Sequence, residues 1–277
     1  MTATLNPPSP AGVAGAGTAG AAAQTEDIAV AVRNVRKVYP GGVEALRDLT
    51  LDFPAGKLTT LLGPSGCGKT TLLKIIAGLV QKDAGKVEVM GREVMGPGPE
   101  RAFVFQDFAL LPWADVLRNV GFGLELRGVA QSEREAIAER YIGDVGLKGF
   151  ERRYPHELSG GMRQRVGLAR ALAVKADVLL LDEPFSAVDE QTRRKFQEDL
   201  LLLVKQEKKT FIFVTHSIEE AVYLSDRIVL LSPRPGRIWK IIDPDLPRDI
   251  SPDQIRRQPV YLDNVETIWQ GLRQYVE

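Results

Sequence analysis

The chain has 277 residues, 44% hydrophobic and 26% charged, and its 36 basic and 36 acidic side chains give a formal charge of zero. That length suits one large α/β domain or a domain with a subdomain, and the balanced charge argues against a protein that holds DNA or RNA through its phosphates. A single cysteine, Cys67, excludes an intrachain disulfide and a cysteine-built zinc site and suits a reducing cytoplasm. No apolar run reaches the ~20 residues of a membrane helix, so any role at a membrane is expected to be peripheral.

Residues 1–27 are rich in Ala, Gly, Pro and Thr, with neither the basic start nor the leucine-rich centre of a secretory signal, and are expected to form a disordered tail. Alternation at Ile28, Val30 and Val32, and again at Leu49, Leu51 and Phe53, predicts half-buried strands. The run LTTLL (58–62) reads as a strand that ends at Gly63, with a helix from Lys69 to Ala77 behind it. From Asp107 to Tyr154 the pattern turns helix-like and breaks the strand rhythm, which predicts an inserted helical subdomain, about 107–165. The runs VLLL (178–181) and FIFV (211–214) suit strands covered on both faces of a largely parallel sheet. Beyond Arg237 a Pro-dotted stretch leads into a C-terminal extension (243–277), where Tyr261, Val265, Ile268, Leu272 and Tyr275 fall on helical spacing. Self-packing is the plainer reading of that helix, although Trp269 and Leu272 also suit a contact with a second copy.

Residues 63–70 read Gly63-Pro64-Ser65-Gly66-Cys67-Gly68-Lys69-Thr70, a complete G-x-x-x-x-G-K-[ST] between a predicted strand and a predicted helix. The glycines let backbone N–H groups converge on phosphate oxygens without Cβ clashes, and the helix start adds a positive dipole end. Lys69 is expected to reach the β- and γ-phosphates of a nucleoside triphosphate, and Thr70 to ligate Mg²⁺. Cys67 reads as a small residue in a tight loop rather than as a nucleophile. A second site follows from VLLLDEP (178–184), a buried strand that ends in two carboxylates. Ligands gather at the carboxyl ends of strands in open α/β sheets. Asp182 is therefore expected to hold Mg²⁺, and Glu183 to polarise the water that attacks the γ-phosphate.

Leu158-Ser159-Gly160-Gly161-Met162-Arg163-Gln164 precedes a helical face at Val166, Ala169, Leu172 and Ala173. Ser159, Gly160 and Gly161 at that helix start form a second anion-binding nest. With two phosphate-type sites far apart in the chain, the sequence resembles the ATP-binding subunits of ABC transporters, and the match runs from Ile28 to Ile242. The resemblance implies an α/β fold with a P-loop NTPase core, a mostly parallel sheet, an antiparallel β edge and an inserted helical subdomain, in an ATPase domain spanning 28–242. It also implies ATP and Mg²⁺ as cofactors, with nucleotide contacts from residues 63–69, Thr70, Thr71 and the adenine-stacking Tyr39. Gln106 (VFQD) would join the γ-phosphate and Mg²⁺ to the helical subdomain, and His216 (VTHS) would contact the γ-phosphate. Ser186-Ala187-Val188-Asp189 resembles the D-loop, with Val188 where Leu is more frequent, as Met162 stands where Gln is. Neither departure touches a polar group that does chemistry. His156, just ahead of the signature, reads as a structural or solvent-facing histidine.

In that family two copies face head to tail, so residues 159–161 of one cap the nucleotide of the other and hydrolysis requires the dimer. A nucleotide-binding unit without membrane spans leaves the pore to separate permease subunits. The stretches 96–113 (GPGPERAFVFQDFALLPW), 158–172 and 231–238 (LSPRPGRI) resemble the nitrate, sulfonate and taurine uptake subgroup. This implies an importer at the cytoplasmic face of a bacterial inner membrane, served indirectly by a periplasmic solute-binding protein and with no nucleic-acid partner. A lipid or lipoprotein exporter ATPase shares every catalytic motif and stands as the alternative. A DNA- or ribosome-associated ATPase usually carries two nucleotide units or a long coiled coil, and a P-loop kinase or GTPase has no use for LSGGM. Next to Gln106, the apolar stretch 108–113 (FALLPW) suits a subdomain core, with a groove beside it for a permease helix.

Overall fold

The structure, a computed structural model, describes residues 26–186 and 188–273. The predicted tail and Tyr275 lie almost wholly or wholly outside the described residues, as does Ala187. The chain starts with an antiparallel pair, β1 (Ile28–Tyr39) and β2 (Val43–Pro54), whose alternating apolar residues turn one face inward. β3 (Leu58–Leu62) is buried along its whole length and runs into α1 (Lys69–Ile76). β4 (Ala84–Val89) joins β1, and the short β5 (Arg92–Glu93) completes a four-stranded antiparallel sheet in the order β2-β1-β4-β5.

β6 (Arg101–Val104) begins the return to the second sheet. Then come α2 (Val116–Leu126), α3 (Gln131–Asp144) and α4 (Gly160–Ala173), which pack on one another. Residues 107–115, expected as part of the helical insertion, are irregular, and Phe108 and Ala109 have positive φ. Asn119 on α2 explains how that segment is held. Fully buried, it accepts from the Leu111 N–H and donates to the carbonyls of Leu111 and Ala114, supplying partners that a helix would have supplied. α4 runs unbroken through residue 165, the expected far limit of the insertion.

The remainder is β7 (Val178–Asp182), α5 (Glu190–Glu207), β8 (Thr210–Val214), α6 (Ile218–Leu224), β9 (Arg227–Leu231), β10 (Ile238–Ile242), α7 (Pro252–Arg256) and α8 (Pro259–Arg273). The six-stranded sheet has the order β10-β9-β3-β8-β7-β6, parallel except for β10, which returns along β9. β10 falls in the stretch read from sequence as Pro-dotted, where an exposed five-residue edge strand leaves little periodicity to detect. Two apolar clusters result: one gathers α1 between the two sheets, and the other lies under the helices on the opposite face of the parallel strands. α8 buries Tyr261 and Ile268 in the second cluster, so it packs on its own chain. Among the described residues no helix is long and apolar enough to cross a membrane.

Candidate functional site

The register of the parallel sheet decides which side chains meet. Leu61 of β3 lies beside Val214 of β8, Val214 beside Asp182 of β7, and Leu181 beside Val104 of β6. The chain leaves these four strands at one edge, so residues 63–70, Thr215-His216, Glu183 and Gln106 all emerge there.

The loop after β3 is shaped by what its glycines exclude. A Cβ on Gly63 would come within 2.8 Å of the Leu231 carbonyl oxygen, and one on Gly68 within 2.8 Å of the Ala45 oxygen. Gly68 also sits at φ 103 as the N-cap of α1, and no side chain caps that helix start. The first-turn N–H groups are therefore left for a ligand, with the positive end of the helix dipole behind them. Lys69 is buried and folds back into the loop, where its Nζ donates to the carbonyls of Gly63 (2.7 Å) and Pro64 (3.0 Å). Cys67 is buried and its thiol pushed up by burial, which keeps it protonated and fits a packing residue.

At the second residue of α1, the Thr70 hydroxyl donates to Asp182 Oδ1 at 2.7 Å. Asp182 is almost wholly buried, and burial pushes its carboxyl up, an effect that the Thr70 hydrogen bond opposes. Thr71 Oγ1 lies 3.3 Å from the Tyr39 hydroxyl. Tyr39 and Thr71 thus edge a cavity of about 260 Å³ that also exposes Ser65, Lys69, Glu183 and Arg234. Glu183 holds an unusual backbone for a non-glycine residue, φ 47, fixed by its N–H to the Val214 carbonyl (3.0 Å). Its Oε2 sits 3.2 Å from His216 Nδ1, so the second carboxylate and the histidine share one rim. Gln106 is exposed two residues beyond β6.

The signature residues stand elsewhere. Ser159 is the exposed N-cap of α4, its Oγ accepting from the Met162 N–H at 3.3 Å, and none of 159–161 lines the cavity over the phosphate loop. Gly161 lies against the start of α5, where its missing Cβ would come within 3.2 Å of the Thr192 methyl. Asp189 caps α5 by accepting from the Thr192 N–H (3.0 Å), and that bond holds its carboxyl below the usual range. His156 is exposed and stacks on Tyr154.

Residues 46–186 match the ABC transporter family. An uncharacterized ABC transporter ATP-binding protein of Methanocaldococcus jannaschii is 53% identical over 79% of this chain and 84% of its own length. The chain belongs to the ABC transporter family. The taurine import ATP-binding protein of Escherichia coli is 52% identical over 72% of this chain and 78% of its own. Among solved structures, a dimeric bacterial ABC transporter cassette matches with a TM-score of 0.70 and 31% identity over 77% of this chain and 98% of that one. A dimeric cassette bound to ADP and Pi matches with a TM-score of 0.69 over the same shares. As an ABC ATP-binding subunit the chain binds and hydrolyses ATP, and the expected fold class holds in full.

Some residues at the ABC site escaped the sequence reading. Arg234, in the loop after β9, donates from Nε to the Gly66 carbonyl at 3.1 Å and presents its guanidinium to the cavity. Gly236 lets that loop close down, since a Cβ there would come within 2.1 Å of the Cys67 carbonyl oxygen. Both residues lie about 170 positions from the phosphate loop, and only the pairing of β3 with β9 brings them to it. The RPG triplet is a turn signal but carries no sign of its partner.

Proposed function

We propose that this chain is the ATPase of an importer, in which closure of a head-to-tail dimer around ATP drives uptake of a small solute, a sulfonate, taurine, nitrate or similar, through a separate permease. One observation carries the dimer: the phosphate-loop cavity is lined without 159–161, while Ser159 stands exposed at the start of α4. A helix start that shows an exposed serine away from its own phosphate loop suits a nucleotide presented by another copy. The importer reading rests on the similarity to the taurine import ATP-binding protein. It places the subunit peripherally at the cytoplasmic face of the bacterial inner membrane, with a periplasmic binding protein delivering solute.

In this reading the bare N–H groups of the loop and Lys69 hold the β- and γ-phosphates, and Tyr39 stacks on adenine. Glu183 Oε accepts a proton as a water oxygen bonds to the γ-phosphorus, the bond to the β-bridging oxygen breaks, and ADP and phosphate leave. His216 and Gln106 contact the γ-phosphate. Thr70 and Asp182 bring two oxygen donors within 2.7 Å of each other beneath the cavity, a hard donor pair of the kind Mg²⁺ takes together with substrate phosphates. With Gln106 they would hold that ion, which when bound neutralises charge on the transferring phosphoryl group. Arg234 adds a cation to the nucleotide pocket: Arg234→Ala should raise the KM for ATP roughly 3- to 10-fold with kcat little changed, the loss of one charge-assisted contact. An unchanged KM would remove Arg234 from the site.

The permease is expected at the helical insertion. Trp113, 70% exposed, stands at a groove of about 390 Å³ with Asp115, Arg118, Glu135, Arg152 and Tyr154. An exposed indole beside mixed charges suits a short amphipathic helix from a cytoplasmic loop. Purifying the tagged chain from membranes should bring down membrane-spanning subunits and, under gentle conditions, a periplasmic binding protein. Trp113→Cys should crosslink to a loop of the spanning subunit. A pull-down with spanning subunits and no binding protein would favour an exporter, and silence of Cys at Trp113 and its neighbours would dismiss the groove.

A further inference from the structure

We propose that Glu220 is a positioning residue for His216, set by a chain of side chains that begins on the C-terminal extension at Arg256. The inference rests on the reading of His216 as the γ-phosphate contact. Ser217-Ile218-Glu219-Glu220 has the sequence of a capping box, in which Glu220 would reach back to the Ser217 N–H. The structure departs from it. Ser217 Oγ does accept from the Glu220 N–H (3.2 Å), but the Ser217 N–H goes to Thr215 Oγ1 at 3.0 Å. The Thr215 hydroxyl in turn donates to Glu220 Oε2 at 2.6 Å. The carboxylate thus pins residues 215 and 217, one on each side of His216, through a single hydroxyl.

The other carboxylate oxygen faces α5. Gln197 Nε2 donates to Glu220 Oε1 at 3.4 Å, and Gln197 Oε1 accepts from Arg256 Nη2 of α7 at 3.2 Å. Arg256 is itself seated on the Tyr223 ring, its guanidinium 4.2 Å from the centroid. A side arm joins the same carboxylate to the D-loop-like segment. Arg193 Nε lies 4.0 Å from Glu220 Oε1, and its Nη2 donates to the Val188 carbonyl at 2.9 Å. Arg193 Nε is buried and has no hydrogen-bond partner among the described residues, so its approach to the carboxylate is its nearest compensation.

Thr215, Gln197 and Glu220 are all buried. Burial pushes the Glu220 carboxyl up, and the Thr215 hydroxyl and the Arg193 charge partly offset this. A carboxylate kept inside at that cost, when the capping-box sequence offered it the Ser217 N–H at the helix start, is better explained by what it holds than by capping. What it holds is the segment that presents His216 beside Glu183. Placement errors of about 1 Å in a phosphate-contacting group cost up to ~10²-fold in rate. Because the far end of the chain is on α7, Arg256 adjusts hydrolysis although it does not line the phosphate-loop cavity.

Steady-state ATPase assays on the full chain test this against ATP concentration. Thr215→Val should lower kcat about 10-fold with the KM for ATP within about 2-fold, and Thr215→Ser, which keeps the hydroxyl, should restore it. Arg256→Ala should lower kcat about 3-fold alone and add nothing in the Thr215→Val background, the signature of residues acting in one chain. Glu220→Ala removes the acceptor for Thr215 and the charge facing Arg193, and should give the same kcat-only loss if Thr215→Val folds poorly, whereas Glu220→Gln, which keeps an acceptor for Thr215, should lose less. A structural role would instead lower thermal midpoint and active fraction in step, and equal kcat in Thr215→Val and wild type would overturn the proposal. His216→Ala separates the two readings. If it lowers kcat while Thr215→Val does not, the relay fails alone. If it leaves kcat intact, the assignment of His216 fails and the relay with it.

Discussion

Glu183→Gln is expected to reduce ATP turnover by about 10²- to 10³-fold, the range a general base contributes, while leaving ATP binding within a few-fold of wild type. The residue directly follows β7 and its side chain is only 23% exposed, yet its backbone is fixed by the N–H bond to Val214 rather than by the carboxylate. Gln can occupy the same space and still bond His216, so φ 47 and the sheet edge should survive the change. What disappears is a group that can take a proton from water. ATP would then stay intact between two copies, and the variant should accumulate as a dimer when ATP is added and revert when ATP is removed. Phosphate release measured beside size-exclusion chromatography gives both quantities on one preparation. Turnover within 2-fold of wild type would deny Glu183 its role, and poor turnover without an ATP-dependent dimer would break the proposed head-to-tail site.

The parts of this site that lie in consecutive residues are legible in the sequence alone. The loop 63–70 needs its glycines where Leu231, Arg234 and Ala45 crowd it, and each constraint leaves a residue type in the sequence even though its partner is invisible. Asp182 and Glu183 stand out because a fully buried strand cannot end in two carboxylates without a reason. The parallel sheet is legible from VLLL and FIFV, since strands covered on both faces lose their alternation. Legibility fails where a contact joins distant positions through ordinary residues. Arg234 looks like any surface arginine until β9 is set beside β3, and Glu220 looks like a helix cap until Thr215 takes its place at Ser217. It fails also at 107–115, where apolar residues suggest helix but positive φ at Phe108 and Ala109 and the buried Asn119 amide impose a loop. Local propensity has no means of registering a side chain that supplies backbone hydrogen bonds from eight residues away.

Lys69→Ala is expected to weaken ATP binding by about 10- to 100-fold, the loss of hydrogen bonds made by a charged donor. Lys69 is nearly inaccessible, and its Nζ is held inside the curve of the loop by the carbonyls of Gly63 and Pro64. Those carbonyls keep the ammonium desolvated and aimed, so a triphosphate entering the loop meets a cation that need not be ordered first. The same two bonds mean that alanine also strips the loop of an internal donor, at about 1–3 kcal/mol for carbonyls left short of a partner. A thermal midpoint separates the two effects: a folding defect lowers it without ATP, whereas the binding defect appears as a lost upward shift when ATP is added. Arginine should not rescue, because a rigid planar fork cannot follow the path that Nζ takes between the two carbonyls. A fluorescent-ATP titration reads the affinity directly. If Lys69→Ala bound within about 3-fold of wild type, the phosphate contact would have to rest on backbone N–H groups and the α1 dipole alone, which at a helix end contribute about 0.3–1 kcal/mol per charge.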